Sequence, residues 1–156
     1  MLLPQLADIK AAHRRIKPFI HRTTVLNSSQ LDRIFDCSLF FKCENFQRVG
    51  AFKFRGAENA VLSLSPEEKR KGVITHSSGN HAAALALAAA LNEVKAMIVM
   101  PETAPKVKKN AVKGYGADIT YCKPTLEARE DTVKVIMEDT GATLIHPYDN
   151  FNVICG

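Results

Sequence analysis

Two short stretches hold the residue types from which a reactive amine and an anion cradle can be built. The first is Gly50-Ala51-Phe52-Lys53-Phe54-Arg55-Gly56, one lysine between two phenylalanines. A lysine in water has a pKa near ~10.4 and is a cation, hence a poor nucleophile. Apolar surroundings disfavour the charged form, which is how a protein obtains a nucleophilic amine. In an extended segment, Phe52 and Phe54 point to one side and Lys53 to the other. Ala51 and Gly56 would then leave open space where a flat ring could approach the backbone. The same spacing also suits a strand end whose lysine reaches solvent.

The second stretch is Thr75-His76-Ser77-Ser78-Gly79-Asn80-His81, where a strand delivers the chain into a helix. A helix N-terminus presents unpaired N–H groups and partial positive charge, which suits a carboxylate or phosphate. Ser77, Ser78 and Asn80 add donors, and Gly79 permits the sharp turn. Any one of these three residues could equally serve as an ordinary N-cap.

These residues need elements to hold them. Residues 6–19, with Ile9, Ala12, Ile16 and Phe19 near helical spacing, predict an amphipathic helix. An extended piece over 21–26 and a helix capped by Ser28 or Ser29 follow. Residues 38–44 read as an aromatic-rich strand in which Cys43 packs as a small hydrophobe. A helix is expected over 54–64, ended by Pro66. From Gly72 the pattern alternates regularly. Strands at 73–75, 96–100, 118–122 and 143–146 are separated by an alanine-rich helix to Leu91 and helices near 105–113 and 126–139. Such alternation predicts right-handed βαβ crossovers and an α/β fold, a three-layer αβα arrangement on a parallel sheet. Residues 70–147 form the expected small α/β domain, with 1–69 and 148–156 belonging to a different unit.

Composition narrows the function classes. Of 156 residues, 46% are apolar and 24% charged, which is ordinary for a globular chain. The net charge of +5 is spread out, and its one run, Lys106-Val107-Lys108-Lys109, reads as a solvated helix face. Neither a basic stripe nor stacking aromatics point to nucleic acid. Cys37, Cys43, Cys122 and Cys155 show no metal-ligand spacing, and free thiols suit a reducing compartment. The N-terminus is too soon polar for a signal peptide, and the run from Ala82 to Leu91 is too short to span a membrane. A cytoplasmic protein is expected.

The stretches FFKCENFQRVGAFKFRGAENAV, THSSGNHAAALALAAAL and YGADI together resemble the fold type II pyridoxal-phosphate enzymes, in the branch of serine racemases and threonine/serine dehydratases. The resemblance runs from about Ile9 to Gly156 and implies a tryptophan synthase β-like fold. It assigns 1–69 to the start of the large cofactor-binding domain and 148–156 to the return into it. It implies that Lys53 holds pyridoxal phosphate as a Schiff base, that Phe52 lies against the ring, and that Asn80 bonds its phenolic oxygen. Ser77, Ser78, Asn80 and His81 would bind the substrate carboxylate, and Lys53 and Ser78 would exchange the Cα proton on opposite faces. Serine would be racemised, or lose its hydroxyl to give pyruvate and ammonia. Threonine or 3-hydroxyaspartate is the alternative substrate.

The same likeness implies ATP near Ser28, Ser29, Gln30, Arg48, Val49 and Tyr115, a homodimer, and Mg2+ or Ca2+ at a site outside this chain. Ala83 stands where ATP-responsive members have glutamine, and Arg48-Val49 replaces a lysine-threonine pair; the HAAAL form looks more like plant-type members. The family's phosphate-holding glycine loop would follow Gly156. The chain therefore reads as the front half of such an enzyme, or as a non-catalytic piece with an interaction role.

Overall fold

Four parallel strands form the centre of the molecule, in the spatial order Asp118–Cys122, Ala96–Pro101, Val73–His76 and Thr143–Leu144. The computed structural model describes residues 3–156. The strands are β3 (Val73–His76), β4 (Ala96–Pro101), β5 (Asp118–Cys122) and β6 (Thr143–Leu144). Every residue of β3 and β4 is buried, as expected for parallel strands covered on both faces. Register pairs Val73 with Ala96 on one side of β3 and with Thr143 on the other.

Side chains alternate cleanly across the sheet. Val73, Ala96, Ile98 and Met100 join the core beneath α5 (Asn80–Leu91) and α6 (Lys106–Gly114). Ile74, Met97, Val99 and Cys122 pack instead with Val133 of α7 (Leu126–Thr140). The chain steps from β3 to β5 on one side, then returns past two strands to reach β6. Right-handed connections in opposite directions place their helices on opposite faces, which is why α7 stands apart from α5 and α6.

The first part of the chain wraps α5. It comprises α1 (Leu6–Ile16), β1 (Val25–Leu26), α2 (Ser29–Phe35), β2 (Phe41–Lys42), 3-10 turns at Glu44–Phe46 and Arg48–Gly50, α3 (Lys53–Leu62) and α4 (Pro66–Lys71). Phe54, Ala57, Ala60 and Val61 of α3 lie in the same core as Leu85 and Ala88 of α5. Covered by the sheet on one side and by α3 on the other, α5 is apolar all round, and its alanines permit close approach. The last element, α8 (Phe151–Cys155), returns against α3 at Gly56. A Cβ on Gly56 would run into the Val153 carbonyl.

Four local expectations are corrected. Residues 38–44 do not form a long strand: only Phe41 and Lys42 pair, with Leu26 and Val25, before the chain coils into 3-10 turns. Pro66 begins a helix rather than ending one. As the first helical residue it needs no N–H, while Ser65 and Glu68 cap each other's amides at 3.2 and 2.7 Å. The first helix stops at Ile16 because Pro18 supplies no donor to extend it. The last strand ends at Leu144 rather than His146. Among the described residues no helix is long and apolar enough to cross a membrane.

Candidate active site

The chain leaves β3 toward α5 and leaves β6 toward α8, so a crevice opens between the carboxyl ends of these two neighbouring strands. Open α/β sheets bind their ligands at such a switch in direction. Three segments meet near these strand ends: the start of α3 through Lys53, the start of α5 through His81, and residues 145–147, whose carbonyls these two side chains contact.

Lys53 sits in the first turn of α3, not in an extended segment. In a helix, residues two apart lie on opposite sides, so Phe54 is fully buried while Phe52 is 59% exposed. The expected arrangement, both rings on one side and the lysine on the other, is thereby corrected. The Lys53 ammonium donates to the Pro147 carbonyl at 2.8 Å and lies 5.1 Å from the Phe52 ring centre. A cavity of ≈ 240 Å³ opens here, lined by Phe52, Lys53, Pro147, Tyr148 and Gly156 among others. Gly56 also lines this cavity, and its missing side chain lets α8 approach as well.

The turn before α5 carries the second stretch. Ser77 extends the β3–β4 ladder by donating its N–H to Val99 at 3.1 Å, and its hydroxyl accepts from the Gly79 N–H at 3.3 Å. Gly79 is the N-cap residue, and no side chain caps the helix. The expectation that Ser77, Ser78 or Asn80 is an ordinary cap is not met; the first N–H groups of α5 stay open for an anion. A Cβ on Gly79 would meet nothing within 4 Å, so the turn borders free space.

His81 faces the other way. Its Nε2 lies 3.1 Å from the Ile145 carbonyl, which can only accept, so Nε2 carries the proton and Nδ1 is a bare acceptor. That Nδ1 is buried without a partner. Burial drives the imidazole pKa down to about 4, against the raising effect of the Ile145 bond. His81 is therefore neutral near pH 7. Its ring ties α5 to residue 145 while Lys53 takes residue 147, so one short segment joins the two stretches.

The loop ahead of Lys53 is braced from outside. Val49 and Gly50 both have positive φ, 57° and 68°, which turns the chain into α3. For a β-branched residue such as Val49 this costs about 1–2 kcal/mol. Arg55 grips Glu44 through two bonds of 2.7 and 2.8 Å, and the Thr23 hydroxyl adds a third at 2.6 Å. The Arg55 bonds, against a raising effect of burial, hold the Glu44 carboxyl down to about 2. A carboxylate lowered in the folded state stabilises above its unfolded pKa of about 4.3 and loses that contribution as pH falls toward 2. With solvent screening the brace is worth up to about 1 kcal/mol. Urea unfolding from pH 5 to pH 2 should show this loss, and Glu44→Gln should remove that part of the slope. An unchanged slope would mean the brace adds nothing.

The positions expected near ATP lie at the start of α2, in the second 3-10 turn and at the end of α6. Ser28 caps α2 by accepting from Leu31 N–H at 3.4 Å, with Ser29 and Gln30 opening that helix. Val49 and Tyr115 pack against the main core, and Arg48 bonds the Phe19 carbonyl. Other groups at the crevice escaped sequence reasoning. His76 at the end of β3 meets His146 edge-on, with ring centres 5.5 Å apart. Burial lowers the His76 pKa, and His146 lowers it further. Arg129, in the first turns of α7, has a buried Nε without a partner. A basic residue at a helix start, just past a strand end, was the one available signal. Among the described residues, no cluster of histidine, cysteine and carboxylate side chains could hold a metal.

Residues 16–156 match the family described as pyridoxal-phosphate dependent enzyme. A serine racemase of Dictyostelium discoideum is 54% identical over 151 residues, covering 97% of this chain and 47% of that protein. A beta-hydroxyaspartate dehydratase of Paracoccus denitrificans is 49% identical across all of this chain and 50% of its own length. The structure of maize serine racemase superposes with a TM-score of 0.95 at 47% identity, over 99% of this chain and 47% of that one. The chain thus spans about half the length of the curated relatives it matches.

Proposed function

The chain belongs to the pyridoxal-phosphate dependent enzymes, and we propose that its chemistry is the racemisation of serine with accompanying elimination to pyruvate and ammonia. Lys53 is the residue that joins the cofactor. The observation that carries this reading is the meeting of Lys53 and the uncapped start of α5 on one segment, through the Pro147 and Ile145 carbonyls.

The residues present fit the cofactor. Lys53 has an amine beside a cavity, Phe52 offers an exposed ring face, and Ser77, Ser78 and Asn80 surround open space at Gly79. When bound, pyridoxal phosphate supplies the electron sink that makes a Cα proton removable. The chain's own groups do the rest. The open N–H groups of α5, with the serine hydroxyls, hold the substrate carboxylate. His81 contributes through its main-chain N–H, because its ring is committed to Ile145. Lys53 Nζ carries the Cα proton on one side and Ser78 Oγ on the other. Proton removal on one side and return on the other inverts the centre.

The test is to incubate the chain with pyridoxal phosphate, reduce with borohydride, and map the modified lysine by mass spectrometry. Weak or mixed labelling that includes Lys53 is expected for this chain alone; label at other lysines with none at Lys53 would sink the reading. Ser78→Ala should depress D-serine formation from L-serine by about 10²-fold or more while sparing pyruvate formation, since only inversion needs a proton carrier on both sides. Equal loss of both products would reduce Ser78 to a binding group. A second reading, elimination from a β-hydroxy amino acid such as 3-hydroxyaspartate or threonine, is favoured by the 49% identity to the Paracoccus dehydratase. The working assembly in this reading is a homodimer.

A further inference from the structure

We propose that Lys108 is a positioning residue that decides which end of the Asn80 amide faces the site. This rests on the reading of Asn80 just given. The Lys106–Lys109 run, expected to be a plain solvated face, is partly engaged. Helix α6 packs against α5 with Val112 fully buried. Lys108 lies four residues before Val112 and so shares its face. Its ammonium donates to Asn80 Oδ1 at 2.7 Å, in the first turn of α5.

An ammonium has three donors and no acceptor, so it can hold only the oxygen of an asparagine amide. The amide's Nδ2 is then turned away from α6 and remains a donor. Left alone, the nearly symmetric amide could rotate by half a turn and present its oxygen instead. For an oxygen anion in the site that rotation replaces attraction by repulsion. The phenolic oxygen of pyridoxal phosphate is such a group, and it needs the donor end. Lys109 cannot substitute for its neighbour. It donates to the Glu102 carbonyl at 2.6 Å and sits 5.0 Å from the Tyr121 ring centre, on the β5 side.

Two measurements on the intact chain test this. The first is the side-chain amide signal of Asn80 in 15N-correlated NMR spectra, read without any cofactor. Lys108→Met should shift and broaden that signal, whereas Lys108→Arg, which keeps donors, should restore it. A signal unmoved by Lys108→Met would overturn the proposal. The second is a double-mutant cycle on the dissociation constant for pyridoxal phosphate. Lys108→Met should weaken binding by about fivefold, the upper range for an exposed charged contact, and by nothing further when Asn80 is already alanine. An equal effect in both backgrounds would mean that Lys108 acts as a bare charge, and the proposal falls. Failure of wild-type label to reach Lys53 would count against the functional reading instead, and the NMR result would still decide the role of Lys108.

Discussion

Lys53→Ala is expected to erase the borohydride-fixed label from the peptide carrying residue 53 and, on the proposed reading, any turnover of serine with it. The expectation rests on more than an amine being present. The chain has many surface lysines, and each can condense with an aldehyde. Lys53 differs in having a cavity at its side, an exposed aromatic face 5.1 Å away, and a carbonyl partner that fixes its direction. If Lys53 is the amine that bonds the cofactor, its deletion leaves no group of comparable reach, so the loss should be complete rather than graded. Lys53→Arg should fail equally, because a guanidinium stays protonated and cannot form the bond. Retained label on the same peptide in Lys53→Ala, or turnover above background, would remove Lys53 from the site. Far-ultraviolet dichroism on each variant separates this from simple misfolding.

Gly56→Ala is the second large expectation, this time on stability. The added methyl would meet the Val153 carbonyl and crowd its side chain, and the backbone cannot step aside cheaply. Overpacking at a tight helix contact costs about 1–3 kcal/mol. At this chain length that corresponds to a drop in Tm of roughly 2–4 °C per kcal/mol. Gly56→Val should cost more than Gly56→Ala. The same shift would push α3 away from α8, so label at Lys53 should fall alongside Tm. An unchanged Tm would show that α8 yields, and that the close approach is a convenience rather than a constraint.

How much of this could be read from residues alone follows from the kind of signal each feature leaves. The four strands of the parallel sheet were legible because buried parallel strands are short apolar runs bounded by glycine, proline or polar turns, as at Val73 and Ala96. The two stretches around Lys53 and Ser78 were legible as residue types. The conformation around Lys53 was not. Alternating phenylalanines suggest a strand, yet the packing of Phe54 beneath α5 made that segment a helix. The role of residues 145–147 was invisible in principle, since main-chain carbonyls are the same in every residue. The open space beside Gly56 was legible, but its contact with α8 was not, because a missing side chain does not say which neighbour comes close. Lys108 was hidden by its company: a run of lysines reads as solvent-facing unless the packing of Val112 is known.

The sheet order has a consequence in time as well as in space. Strands β3, β4 and β5 pair with sequence neighbours, and their contacts can form by closing short loops. Pairing of Val73 with Thr143 waits on closure of a far longer loop, and the bond from Lys53 to Pro147 spans 94 positions. Loop-closure entropy places such contacts late in folding. The lysine therefore gains its partner only after β6 has docked, when the rest of the core is already set. A chain caught before that step would carry the same amine with no direction imposed on it, reactive toward aldehydes but unable to choose among them. On the proposed reading, selectivity at Lys53 would thus be the last property the fold acquires and the first it would lose on local opening at β6.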